Sequence, residues 1–117
     1  MKTLMLGLAT ALVAMDPAPV VTVQEDQIVQ ISDKAFRPDK LMIKLGERVI
    51  WKNGDTSDHT VTDIGRPSEP GTQGKSEFDS GVLKPGQTWS YTFTKEGNFQ
   101  YHCMIHPKMI GVVIVTR

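Results

Sequence analysis

Apolar residues in this chain recur in short stretches, many of them alternating with polar positions, and turn residues separate the stretches. Leu41, Ile43 and Leu45, for example, occupy every second position. An alternation of period two places one set of side chains on the buried face of a β-strand and the other set on the opposite face. The pattern predicts strands at residues 20–23, 28–31, 41–45, 49–52, 60–62, 89–93, 99–101 and 112–115.

Glycine and proline mark the turns between these strands, as at residues 53–55 and 84–86. After residue 20, no stretch keeps a 3.6-residue apolar period over several turns of helix. About eight strands in about a hundred residues predict an all-β fold, a two-sheet antiparallel sandwich with Greek-key connections. Trp51 is expected in its core, and the Gly- and Pro-rich residues 63–74 are expected to form a surface loop.

The N-terminal residues have the composition of an export signal. Lys2 is followed by a mostly apolar run over residues 3–14 that ends in small residues, the pattern of a secretory signal peptide. The run is shorter than the ~20 residues that span a bilayer, so a stable membrane span is not expected. We therefore expect a signal and leader at residues 1–19, one domain at residues 20–117, and a periplasmic or otherwise exported protein; an uncleaved anchor or a plain N-terminal helix is the alternative for the first segment.

The charge balance excludes some partners. Thirteen basic residues offset thirteen acidic ones in a chain of 117 residues. Such a chain has no electrostatic footprint for nucleic acid and no polybasic segment for an anionic membrane. A specific protein partner remains compatible with this composition.

The chemistry of the chain is concentrated near its C-terminus, where Cys103, His106 and Met109 follow one another at three-residue intervals. With His59 from an upstream loop, they form the His₂Cys set with a weak axial methionine that is typical of a blue copper site. A single cysteine cannot form an internal disulfide, and in an exported protein metal ligation explains it. Taken one at a time, the same residues would be read as an inert buried thiol, a core methionine and a structural histidine.

Longer motifs resemble a known family. They are Val29-x-Ile31-x-Asp33-x-Ala35-Phe36-x-Pro38, Ile43-x-x-Gly46-Glu47-x-Val49-x-Trp51-x-Asn53-x-Asp55, His59-Thr60-Val61, Phe78-Asp79-Ser80-Gly81, Pro85-Gly86 and Tyr101-His102-Cys103. Together they are similar to the small cupredoxins of the plastocyanin, pseudoazurin and amicyanin group, and the short loop from Cys103 to Met109 is most similar to that of amicyanin.

The resemblance implies an eight-stranded sandwich with one type 1 copper ion at its end, cycling between Cu(I) and Cu(II). It implies a monomeric electron carrier rather than an enzyme. Protein donors and acceptors are expected to dock near His106, on an apolar patch to which Met104, Ile105 and Pro107 contribute.

Two positions depart from the family pattern. Thr60 stands where much of the family has an asparagine that ties the two ligand loops together, and its hydroxyl is expected to make a comparable hydrogen bond. Ile105 stands where a proline is common, so its N–H is free to donate a second hydrogen bond to the Cys103 sulfur and raise the reduction potential. His102, next to Cys103 in a strand, is expected to point away from the metal.

Two other functions share part of this ligand pattern. An exported copper storage or delivery protein is the alternative, and an intense blue colour with a reversible one-electron couple would distinguish a carrier from it. The His102-Cys103 pair also occurs in copper nitrite reductases, whose second copper needs several more histidines. This chain has three histidines in total, which disfavours an enzyme.

Overall fold

A computed structural model describes residues 26–65 and 76–117. Within these ranges the regular secondary structure is entirely β. The strands are β1 (Gln27–Ser32), β2 (Ala35–Arg37), β3 (Lys40–Lys44), β4 (Arg48–Asn53), β5 (Thr62–Asp63), β6 (Thr88–Thr92), β7 (Gly97–His102) and β8 (Ile110–Thr116). No helix of the described residues is long and apolar enough to cross a membrane.

The strands form two four-stranded sheets, in the orders β2-β1-β4-β6 and β3-β8-β7-β5. The predicted all-β, two-sheet sandwich is confirmed. Four of the strand pairings in the described residues are antiparallel, whereas β1 pairs with β4 and β3 pairs with β8 in parallel. The parallel β1–β4 pair arises because the chain crosses to the second sheet for β3 before it returns as β4 beside β1.

Most of the predicted strands are present, with shifted ends. The strand predicted at 60–62 is reduced to Thr62 and the following residue, and the strand predicted at 20–23 lies outside the described residues. The predicted loop at 63–74 also lies largely outside them. Strand β2 was not predicted, because three residues are too few to show an alternation.

The core between the sheets is rich in aromatic side chains. Trp51 is fully buried, as predicted, and its ring lies 5.4 Å from those of Trp89 and Tyr101. Tyr101 also packs edge-to-face on Phe36 at 4.6 Å. This packing fixes Tyr101, which lies two residues before Cys103.

The loop that carries His59 is held by hydrogen bonds rather than by aromatic packing. His59 N–H donates to Leu83 O at 3.0 Å, and Leu83 N–H donates to His59 O at 2.7 Å. The buried side-chain amide of Asn53 donates to Ser57 O at 2.9 Å and to Leu83 O at 2.8 Å. The backbone around His59 is therefore set by the fold itself.

Gly111 lies where β7 and β8 pack closely, so a substitution there tests this packing. It lies opposite Tyr101 in the strand register, and a Cβ atom added to it would come within 2.5 Å of Cζ and Oη of that ring. Because the ring is wedged among other aromatics, we expect Gly111→Ala to reduce the free energy of unfolding by about 1–3 kcal/mol. Urea unfolding of the metal-free protein measures this. Gln100→Ala, at an exposed site on β7, is the control, and equal stability of both variants would contradict the packing argument.

Candidate metal centre

Three of the four predicted ligands converge at one end of the sandwich. The Cys103 sulfur lies 3.6 Å from Nδ1 of His59 and 3.8 Å from Nδ1 of His106. All three donor atoms lie within 4.8 Å of one another. His59 and Cys103 are fully buried, whereas His106 is half-buried. The arrangement places a sulfur between two imidazole nitrogens, with one ring reaching toward the surface.

The loop between β7 and β8 is closed by its own backbone. Met109 N–H donates to His106 O at 2.8 Å, and Cys103 N–H donates to Met109 O at 3.2 Å. The Met109 side chain is 5% exposed. These two hydrogen bonds fold the loop back on itself, so His106 and Met109 are held beside Cys103 rather than extended into solvent.

The donor set suits copper. A thiolate favours Cu(I), and imidazole binds either oxidation state. A metal ion bound at this point would also give a role to a buried thiol that has no disulfide partner in the described chain. The three converging donors therefore fit a copper ion.

Thr60 joins the two ligand loops, as the sequence predicted. Met104 N–H donates to the Thr60 hydroxyl at 2.8 Å, and Thr60 N–H donates to the Cys103 sulfur at 3.3 Å. The same hydroxyl lies 2.9 Å from that of Thr62, which donates to Asp79 at 3.2 Å. The Thr62 hydroxyl donates its proton to Asp79, so the Thr60 hydroxyl donates to the Thr62 oxygen while it accepts from Met104 N–H.

The prediction of a hydrogen bond from Ile105 N–H to the Cys103 sulfur was wrong. Among the described residues, no hydrogen bond runs from Ile105 N–H to the Cys103 sulfur, and the backbone donor to that sulfur is Thr60 N–H on the other loop. The increase in reduction potential that was expected from Ile105 therefore does not follow.

The outer nitrogen of His59 has a partner that was not singled out from the sequence. Nε2 lies 2.8 Å from Oδ2 of Asp55 and 3.3 Å from Oγ of Ser57. Burial opposes ionisation of Asp55. However, hydrogen bonds from Lys34 N–H, from the His59 ring and from Asp33 N–H outweigh it and hold the pKa of Asp55 below its usual value. Asp55 belongs to one of the family motifs and lies four residues before His59, but its contact with the ring was not expected.

His102 lies where the strand alternation places it. It is half-buried, whereas Tyr101 and Cys103 on either side of it are buried. Its ring nitrogens are not among the donor atoms that cluster around the sulfur in the described residues.

Comparisons with known proteins agree with this fold and this site. Residues 23–116 match the profile of the copper binding proteins of the plastocyanin/azurin family. This chain belongs to that family, which confirms both the cupredoxin resemblance and the predicted copper cofactor.

The similar proteins include amicyanins. Amicyanin of Paracoccus denitrificans is 32% identical over 88 residues, which make up 75% of this chain and 63% of that protein. This chain thus spans less than two thirds of that relative. Amicyanin-alpha of Methylorubrum extorquens is 32% identical over 107 residues, 92% of this chain and 82% of that protein.

Solved structures of an amicyanin variant and of another cupredoxin superpose on this chain. An amicyanin variant in its reduced Cu(I) form at pH 4 superposes with a TM-score of 0.67 at 30% identity, over 80% of this chain and 85% of that one. A purple cupredoxin from Nitrosopumilus maritimus superposes with a TM-score of 0.65 at 26% identity, over 77% and 99%.

The link through Thr60 can be tested by removing its hydroxyl. Thr60 is 5% exposed, so Thr60→Val leaves Met104 N–H without its acceptor. We expect the metal-free variant to lose about 1–3 kcal/mol of stability in urea unfolding. Thr60→Ser, which keeps the hydroxyl, is the matched control. A valine variant as stable as the serine variant would show that the hydrogen bond does not hold the loops together.

Proposed function

We propose that this protein is an exported type 1 copper protein that carries single electrons between redox partner proteins. His59, Cys103 and His106 would hold the copper ion, with Met109 as a further, weak donor. When bound, copper supplies the one-electron Cu(I)/Cu(II) couple. The observation that carries the proposal is the buried sulfur between two imidazole nitrogens, at 3.6 and 3.8 Å.

The burial of Met109 supports its place in the set. Its side chain is 5% exposed in a loop whose neighbouring residues are mostly exposed. Its backbone bonds to Cys103 and His106 keep it close to both. A thioether is a soft, weak donor that suits the axial position of a copper site.

The scaffold is suited to electron transfer because it holds the donors firmly. Leu83 fixes the backbone of His59, and Thr60 links that loop to the Cys103 loop. Ligands held by hydrogen bonds and packing resist rearrangement when the charge at their centre changes. A carrier needs this resistance, because each rearrangement adds to the barrier for transfer.

Partner proteins would dock around His106. Met104 and Ile105 are 60% and 47% exposed, and Pro107 is exposed beside them, with Lys108 at the edge. An exposed apolar patch marks an interaction site, and a small one suits brief encounters. His106 lies in this patch with its ring half-buried, so it offers the shortest route between the site and a docked protein. This role needs neither a catalytic residue nor a stable oligomer.

Export is supported by the sequence. The positive charge at Lys2, the apolar run at 3–14 and the lone cysteine fit a signal and leader at residues 1–19 and a periplasmic or otherwise exported domain at 20–117. Mass measurement of the protein from a periplasmic extract tests this. A mature chain that begins between residues 15 and 20 is expected, and a full-length chain found only in the cytoplasmic fraction would contradict the proposal.

Copper titration tests the function. With Cu(II), the protein is expected to develop an intense visible band and to show a reversible one-electron couple by voltammetry. Cys103→Ala is expected to lose both, because the band requires the thiolate. His102→Ala is the matched control and is expected to keep both. Stoichiometric copper binding without colour or a reversible couple would indicate storage or delivery instead.

A further inference from the structure

The Asp55 carboxylate accepts three hydrogen bonds although Asp55 is a loop residue. Asp33 N–H donates to Oδ1 at 2.7 Å, and Lys34 N–H donates to Oδ2 at 2.9 Å. The same Oδ2 lies 2.8 Å from Nε2 of His59. The Asp55 carboxylate thus connects the turn between β1 and β2 to the buried histidine of the metal centre.

The turn itself is built for this contact. Asp33 and Lys34 have φ angles of 52° and 53°, in the left-handed region that few non-glycine residues adopt. Two successive residues in this conformation form the tight hairpin turn that joins β1 to β2. The Asp33 and Lys34 N–H groups of this turn both donate to the one carboxylate of Asp55.

The contact also decides which nitrogen of His59 carries a proton. An ionised carboxylate can only accept hydrogen bonds, so at a separation of 2.8 Å Nε2 must be the donor. The neutral ring then has its lone pair on Nδ1, and Nδ1 is the nitrogen that faces the Cys103 sulfur. Asp55 therefore orients the ring and leaves the inner nitrogen free to bind a metal ion.

We propose that Asp55, anchored by the β1–β2 turn, is a positioning residue that presents Nδ1 of His59 to copper and selectively stabilises Cu(II). This inference rests on the proposed copper site. The His59 ring is fully buried and the Asp55 side chain is 14% exposed, so solvent screens their interaction weakly. A carboxylate on the outer nitrogen makes imidazole a stronger donor. The doubly charged ion gains more from a stronger donor and a nearby negative charge than the singly charged ion does.

Asp55→Asn tests the proposal, because it removes the charge and nearly preserves the shape. Loss of a partner in this position typically costs about 10–100-fold in metal affinity. We expect at least a tenfold loss for Cu(II), measured by competition with a chelator, and a smaller loss for Cu(I). The midpoint potential should therefore rise, by about 59 mV for each tenfold difference between the two losses.

Asp58→Asn is the matched control. Asp58 directly precedes His59, but its carboxylate is 42% exposed and lies 3.6 Å from Nζ of Lys84. The control makes the same change of charge close to the site without touching the ring. An equal shift in both variants, or no shift in Asp55→Asn, would overturn the proposal. A blue wild-type protein with a reversible couple would leave the proposed function standing in that case.

A second measurement does not depend on whether the variant folds. Nitrogen NMR of metal-free wild-type protein reports which ring nitrogen of His59 is protonated. We expect the proton on Nε2, and a proton on Nδ1 would overturn the proposal. In Asp55→Asn, the preference for Nε2 should weaken, whereas Asp58→Asn should keep it.

Discussion

The metal centre depends on one constraint, which is that two loops far apart in the sequence must stay in contact. Thr60 satisfies this constraint with two groups, its side-chain hydroxyl and its backbone N–H. Its hydroxyl accepts from Met104 N–H and its own N–H donates to the Cys103 sulfur, across 44 and 43 residues of chain. The first bond sets the distance between the loops, and the second places a donor on the sulfur. The same two segments are also joined where β5 pairs with β7, with Thr62 opposite His102.

Each loop is in turn secured by the part of the fold from which it extends. Cys103 follows β7, whose Tyr101 is locked among aromatic rings and lies across Gly111. His59 is held on its backbone by Leu83 and on its ring by Asp55. The donors are thus fixed by packing on one side and by hydrogen bonds on the other, before any metal ion contributes.

Sequence alone predicted the features that are local in the chain. Cys103, His106 and Met109 share one short loop, so their spacing is visible, and alternation shows the longer strands. The contact between Thr60 and the opposite loop was expected from the family resemblance. Asp55 was missed because its role depends on β2, a strand of three residues, and on a hairpin turn more than twenty residues upstream. The hydrogen bond predicted for Ile105 is absent because the presence of a backbone N–H in the sequence does not determine where that N–H points. The parallel pairs were missed because pairing depends on where the chain crosses between sheets.

The two histidines of the centre differ in their access to water. His59 and Cys103 are completely enclosed, whereas His106 is partly open and sits on a loop with exposed neighbours. An ion that arrives from solvent would therefore meet His106 before the two buried donors. The same ring is the last to release a departing ion. If copper enters and leaves past His106, it does so on the face on which partners are proposed to bind, and a docked partner would also close the exit.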